Sequence, residues 1–310
     1  MIDMNLYFLK TKTEELAALC AAEVNNGVSV VITGHDMPDS DSIISAVMLK
    51  ELLARLGVTV TVKFGTCPDG VTARDARTLD LLNEIGFDGF DDDDRLVLVD
   101  HHVTFYNNEV IGCVDHHTTP PEPDFAFSLI ESSSSCGRII YDMARSVGVC
   151  DDWFEKMSVY SVYLDTQSCR SPKFNKSDEP WLADAIVRLD LDENELVRMG
   201  FCLMSPDESA GELAMYGYKR YEYNGKKTAS TCIQIDPDDL RWQSLIPDVI
   251  DHVRARCRAD SCLLWAFVVN MPSLTRSDIY FVSENGVDKT VSLDRLASRS
   301  RDVVPVMKAI

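Results

Sequence analysis

The sequence predicts an α/β fold: an N-terminal parallel sheet with helices on both faces, followed by a smaller C-terminal mixed α/β domain. Three observations lead there. Short β-branched runs alternate with amphipathic stretches through the first half, the pattern of strand-helix-strand winding. Three clusters of acids and imidazoles each fall just past the end of such a run. Toward the C-terminus, mixed strands and helices form a second unit, and the division is placed at residue 192, giving domains 1–192 and 193–310, with no Gly/Pro-rich linker to mark it.

Residues 28–33, Val-Ser-Val-Val-Ile-Thr, read as a buried strand. A helix follows over 42–56, with Ile43, Val47, Leu49 and Leu53 near helical spacing and Gly57 as its stop. A strand at 58–64, a helix at 74–85 and strands at 96–99 and 110–114 complete the winding. Helices are expected at 136–147, 153–164, 178–189 and 193–202. The second unit should hold strands at 228–235, 263–270, 278–283 and 289–293 and a helix at 245–258.

Composition bounds the partners. The 310-residue chain carries 50 acidic and 30 basic residues, a formal charge of -20, which opposes the counterion release that drives binding to duplex nucleic acid. No nucleic-acid partner is expected, whereas a small acidic substrate fits if divalent cations invert the field inside one site. The ten cysteines are scattered singly, as free thiols in a reducing compartment would be. A charged-then-apolar leader is missing, and so is an apolar run of about 20 residues, so the expectation is a cytoplasmic protein with no membrane partner.

The clusters are His35-x-x-x-Asp39-x-Asp41, Asp100-His101-His102 and Asp115-His116-His117, and they hold five of the six histidines. Ligands of parallel sheets gather beyond the carboxyl ends of the strands, so clusters distant in sequence would meet there. Imidazole nitrogen with carboxylate oxygen, without thiolate, suits manganese, cobalt, iron or zinc, whereas magnesium favours oxygen alone. Several carboxylates point to a pair of ions about 3.5 to 4 Å apart, able to clamp a phosphoryl group and generate hydroxide. Taken singly, each cluster has a plainer reading: Asp41 or Ser42 capping a helix that begins near Ile43, and solvated loops at the two His pairs.

The segments His35-Asp36-Met37-Pro38-Asp39-Ser40-Asp41-Ser42-Ile43, Val99-Asp100-His101-His102, Val114-Asp115-His116-His117 and Tyr163-Leu164-Asp165-Thr166 resemble the four successive motifs of the DHH phosphoesterase superfamily. Near the C-terminus, Ser298-Arg299-Ser300-Arg301-Asp302-Val303-Val304-Pro305 is similar to the Ser-Arg-Lys-Lys-Gln-Val-Val-Pro signature of manganese-dependent (family II) inorganic pyrophosphatases. Gly217-Tyr218-Lys219-Arg220-Tyr221 resembles their second phosphate-binding segment, and the Gly-Gly-Gly-His run of the nuclease branch does not occur.

The resemblance implies one ion on His35, Asp39, Asp100 and Asp165 and a second on Asp41, Asp100, His116 and Asp165, with Asp100 and Asp165 as bridges. It further implies His117, Lys219 and Arg299 as phosphate contacts, with Arg301 beside them, and Asp39, Asp100 and His117 as the catalytic group. Two manganese ions are implied, cobalt being able to substitute, with a further magnesium or manganese arriving with substrate. The reaction implied is hydrolysis of pyrophosphate by in-line attack of a metal-bridging hydroxide, in a cleft between the domains of a homodimeric protein.

This sequence departs from the family at several positions. His102 stands for Asn and Val103 for Glu, Ser300 replaces a phosphate-binding lysine, Asp302 replaces Gln, and Ser133 to Cys136 replaces a Gly-Cys-Thr-like turn. The alternatives are an exopolyphosphatase, or a hydrolase of short or nucleoside polyphosphates, and, from another class, a catalytically weak regulatory or scaffold protein of the same fold.

Overall fold

The computed structural model describes residues 4–35, 38–64, 81, 85–86, 89–103, 106–117, 124–223 and 225–309. The chain forms two compact units, one of Met1–Thr166 with Lys173–Leu196, the other of Gln167–Pro172 with Val197–Ile310.

In the first unit, β1 (Val30–Thr33), β2 (Thr61–Val62), β3 (Arg95–Val99), β4 (Val110–Asp115) and β5 (Phe127–Ile130) form an all-parallel sheet in the order β2-β1-β3-β4-β5. The direction of winding reverses between β1 and β3, the switch point at which open parallel sheets leave a crevice. Every residue of β1 is buried, as is β3 after Arg95. Continuous apolar runs are what a strand covered on both faces requires.

Helices α1 (Met4–Asn25), α2 (Ser40–Arg55) and α3 (Cys136–Ser146) pack through α3, and α4 (Asp152–Asp165) lies against α2 and α3. The other side of the sheet buries Val31, Leu96, Leu98 and Cys113 against Phe90, Tyr106, Phe125 and Ile130. Burying each such aliphatic side chain contributes about 1.5–3 kcal/mol. The helix expected at 74–85 lies outside the described residues, apart from positions 81 and 85. The strand expected at 58–64 is realised as a strand over Thr61–Val62, with a further parallel bridge from Lys63 to Gly86. Helix α5 (Glu179–Arg188) completes the first unit, and α6 (Glu193–Phe201) runs across the division.

The second unit contains α7 (Ala210–Met215), β6 (Lys219–Tyr223), β7 (Lys226–Gln234), α8 (Arg241–Ala259), β8 (Leu264–Met271), β9 (Arg276–Ser283), β10 (Gly286–Leu293) and α9 (Val304–Lys308). Its sheet runs β10-β9-β8-β7-β6, parallel at β7–β8 and antiparallel at the other three pairings. The central strand β8 is buried along its whole length, with α8 packed on β8 and β9. A further cluster joins Leu264, Ala266, Val268, Ile279 and Phe281 to Val303 and Met307 of the C-terminal turn and helix.

No helix among the described residues is long and apolar enough to cross a membrane.

Candidate metal centre

The centre is assembled around the switch point from segments that leave β1, β3 and β4 and from the last turn of α4. Gly34 opens the first segment: a Cβ there would lie 2.6 Å from the Ser42 Cβ and 2.9 Å from the Phe64 ring, so only glycine lets β1 turn so close to α2. His35 follows, and Asp39 caps α2 by accepting from the Ser42 amide at 3.2 Å. The cap is thus Asp39 rather than Asp41 or Ser42, because α2 starts at Ser40 and draws Asp41 into its buried first turn.

Asp41 is held by four donors. Its Oδ1 accepts from Ser45 Oγ (3.1 Å), Ser161 Oγ (2.6 Å) and the Gly137 amide (3.1 Å), and its Oδ2 accepts from the Cys136 amide (2.8 Å). Those amides begin α3, whose positive end favours a carboxylate. The contact requires glycine at 137, where a Cβ would sit 2.5 Å from Ser161 Oγ.

Asp100 ends β3 in the left-handed region, φ 63°. Its Oδ2 accepts from Ser42 Oγ at 2.6 Å, while its Oδ1 lies 3.1 Å from His116 Nε2. His116 Nδ1 donates to the Ser133 carbonyl at 3.1 Å, since a carbonyl can only accept. That bond leaves Nε2 facing the carboxylates, 3.7 Å from Asp41 and 3.8 Å from Asp165. His35 Nε2 lies 3.4 Å from Asp39 and 3.7 Å from Asp100. Ligand atoms of His35, Asp39 and Asp100 form one compact group and those of Asp41, His116 and Asp165 another, each within 4.8 Å.

Four buried atoms here make no well-formed hydrogen bond, His35 Nε2, Asp100 Oδ1, His116 Nε2 and Asp165 Oδ2, the 3.1 Å approach of Asp100 Oδ1 to His116 Nε2 being an ion-pair contact. Burying polar atoms unpaired costs about 1–3 kcal/mol each, more when charged, so their convergence calls for a cation. The protonation balance agrees. Burial, then the charge of Asp100, pushes Asp41 up to about 8. Burial and Asp39 work to raise Asp100, but the His116 and His117 imidazoles outweigh them and hold it far below the usual carboxylate range. Burial opposes a charge on His116, yet Asp100, Asp165 and Asp41 overcome it and raise its pKa to about 10. A centre that retains protons this way is short of positive charge, and nitrogen and oxygen donors without thiolate suit a borderline divalent ion.

The remaining imidazoles have other duties. His101 donates to the Val99 carbonyl at 3.0 Å, and burial pushes its pKa down to about 4, so it supports the strand end. His102 Nδ1 lies 2.5 Å from Asp115 Oδ2, while Asp115 Oδ1 accepts from the His117 amide and from His117 Nδ1 at 2.9 Å. Asp115 therefore fixes the ring of His117, and the departure His102 helps to fix Asp115. His117 is the accessible member, its side chain 42% exposed.

In the second unit, Lys219 opens β6 opposite Ser230, and the Arg299 guanidinium donates to the Gly217 carbonyl. Both cations act on the Cys232 thiol, whose pKa burial nevertheless raises. The sequence-predicted pair is therefore gathered around one strand start, whereas Arg301 is exposed. Asp302 accepts from the Ser298 amide and from Arg295, both at 2.8 Å, and so pins the Ser298–Asp302 turn.

Sequence reasoning missed Ser42, Ser161 and Lys173. Ser161 had a signal: Ser158, Ser161 and Asp165 make a polar stripe at helical spacing among the apolar residues of the second half of α4. Lys173 Nζ lies 2.5 Å from Asp165 Oδ1, and no pattern announces it.

Comparison with known proteins agrees with this architecture. A candidate family II inorganic pyrophosphatase of Methanococcus jannaschii shares the fold, with a TM-score of 0.70 and 18% identity over 90% of this chain and 98% of that one. An exopolyphosphatase-related protein of Bacteroides fragilis aligns with a TM-score of 0.44 and 14% identity, over 96% of this chain and 95% of that one. No curated protein matches in sequence. Residues 29–160, which contain every candidate ligand of the centre except Asp165, match the N-terminal domain of the DHH family.

Proposed function

We propose that the protein is a metal-dependent phosphoanhydride hydrolase whose substrate is inorganic diphosphate, cleaved with water to two phosphates. The observation that carries this reading is the convergence of His35, Asp39, Asp41, Asp100, His116 and Asp165 at the switch point, with four buried ligand atoms that make no well-formed hydrogen bond.

His35, Asp39, Asp100 and Asp165 would hold one ion, and Asp41, Asp100, His116 and Asp165 the second. Two ions, when bound, polarise phosphoryl oxygens and lower the pKa of water. Asp41 serves by rigidity, since its four donors fix it before any ion arrives. Asp39, with its side chain 39% exposed, Asp100 and His117 are the groups that reach the reacting atoms. Asp115 keeps His117 Nδ1 occupied and so directs the opposite nitrogen to a phosphate oxygen. Lys219 and Arg299, with Arg301, supply charge-assisted contacts to the phosphates.

The mixed imidazole and carboxylate set supports manganese as the resident metal and cobalt as a substitute, with a further magnesium or manganese accompanying the substrate. The charge of -20 supports a small substrate over nucleic acid. The similarity in fold to a candidate pyrophosphatase supports diphosphate as the substrate, while the homodimer is what the motif resemblance implies and the singly scattered cysteines support a cytoplasmic setting.

Phosphate release from diphosphate, triphosphate and long-chain polyphosphate, measured in parallel with manganese, cobalt and magnesium, tests the reading. Diphosphate should be turned over fastest with manganese. Preference for triphosphate or longer chains would make the protein an exopolyphosphatase, and no turnover together with no bound metal would leave a scaffold.

A further inference from the structure

Lys173 stands inside the candidate centre although no motif includes it. Its ammonium is 2.5 Å from Asp165 Oδ1, whereas Asp165 Oδ2 is buried and unpartnered on the side of His116. One carboxylate is thus shared between a tethered cation and a space that requires another. The two ends differ in burial: the Asp165 side chain is 7% exposed and that of Lys173 is 37% exposed. Lys173 is therefore the more exposed partner of the pair.

We propose that Lys173 is a displaceable counter-ion of the metal centre: it neutralises Asp165 until a divalent ion takes that carboxylate, and the released ammonium then binds an oxyanion of the phosphate. The inference rests on the two-ion reading of the site. Chemistry favours the exchange, because a divalent ion competes for the same oxygen with twice the charge, while a compact ammonium on a flexible stem reorients easily onto a phosphate oxygen. The same residue would tune the centre in opposite senses, weakening metal uptake and strengthening phosphate retention.

Titration calorimetry of manganese into metal-free protein, followed by inorganic phosphate into the manganese-loaded form, tests this with Lys173→Met and Lys173→Arg. Removing the competitor should tighten binding of the second manganese ion about tenfold in K173M and weaken phosphate binding about tenfold, the size of one charge-assisted contact. K173R keeps the charge and should stay within about threefold of the parent in both titrations. Unchanged manganese or phosphate affinity in K173M overturns the proposal, as does equal behaviour of K173M and K173R. A parent protein that takes up no manganese removes the two-ion reading as well, whereas a parent that binds it beside an unaltered K173M removes this inference alone.

Discussion

Asp100 illustrates how one residue serves both backbone and chemistry. Its left-handed conformation, φ 63°, is tolerated by Asp and Asn and costs other L-residues about 1–2 kcal/mol. Asp100→Asn should therefore leave metal-free stability within about 1 kcal/mol of the parent while lowering hydrolysis by at least about a hundredfold. Asp100→Ala should be about 1 kcal/mol less stable than Asp100→Asn in urea unfolding with chelator present. Asp94 supplies a test by pH, away from the centre. Burial works to raise it, but Ser29, the Asp91 amide at 2.9 Å and Lys63 at 3.2 Å hold its carboxyl below the usual range. A depressed folded pKa gives stability that is complete above the unfolded value of about 3.9 and is lost as pH falls through the folded one. Asp94→Asn should thus cost about 1 kcal/mol at pH 7, and the gap to the parent, followed by denaturant unfolding, should close below about pH 4. At this scale the sequence pointed to the candidate ligands, because imidazoles and carboxylates clustered at strand ends are rare; it hid Ser42 and Lys173, which are ordinary residues until the fold brings them to Asp100 and Asp165.

Among the elements, the approach of α3 to α4 is the joint on which Asp41 depends. Gly137→Ala would drive a Cβ into Ser161 Oγ, 2.5 Å away, and displace the hydroxyl that donates to Asp41. The expected outcome is a loss of about 1–3 kcal/mol in stability and about tenfold in manganese affinity, read by thermal unfolding and by calorimetry. Strong periodicity made α2, α3, α4 and the central strands legible. Helix α1 was not foreseen, although Leu9, Thr13, Leu16 and Cys20 are buried at helical spacing, because Thr13 interrupts the apolar stripe and meets its need locally by donating to the Leu9 carbonyl at 2.7 Å. Strand β6 was missed for the opposite reason: Lys219 to Tyr223 alternates between part-buried and exposed positions and offers little apolar contrast. Helix α8 begins at Arg241 rather than at 245, with Pro247 inside it.

For the whole molecule, the balance of 50 acidic to 30 basic residues makes ion uptake a matter of stability as well as function. Manganese at about a hundred times its Kd should add about 2.7 kcal/mol and raise Tm by roughly 5–10 °C, and a chelator should reverse the shift in differential scanning. The fold class was legible because alternating periodicities dictate layers. The path of the chain between the units was not, since it depends on contacts of a short segment with no pattern of its own. That segment, Gln167–Pro172, follows the ligand Asp165 and belongs with the second unit, where Arg170 donates to the Pro272 carbonyl at 2.6 Å; at Lys173 the chain has returned to the first unit. The polypeptide therefore passes between units at 166/167, 172/173 and 196/197. Neither unit is a bead that one cut could free: a fragment ending at residue 196 carries six residues of its neighbour, and the matching C-terminal fragment lacks them. Recombination that shuffles contiguous modules would break this pair, so the two units have to be engineered as one stitched piece.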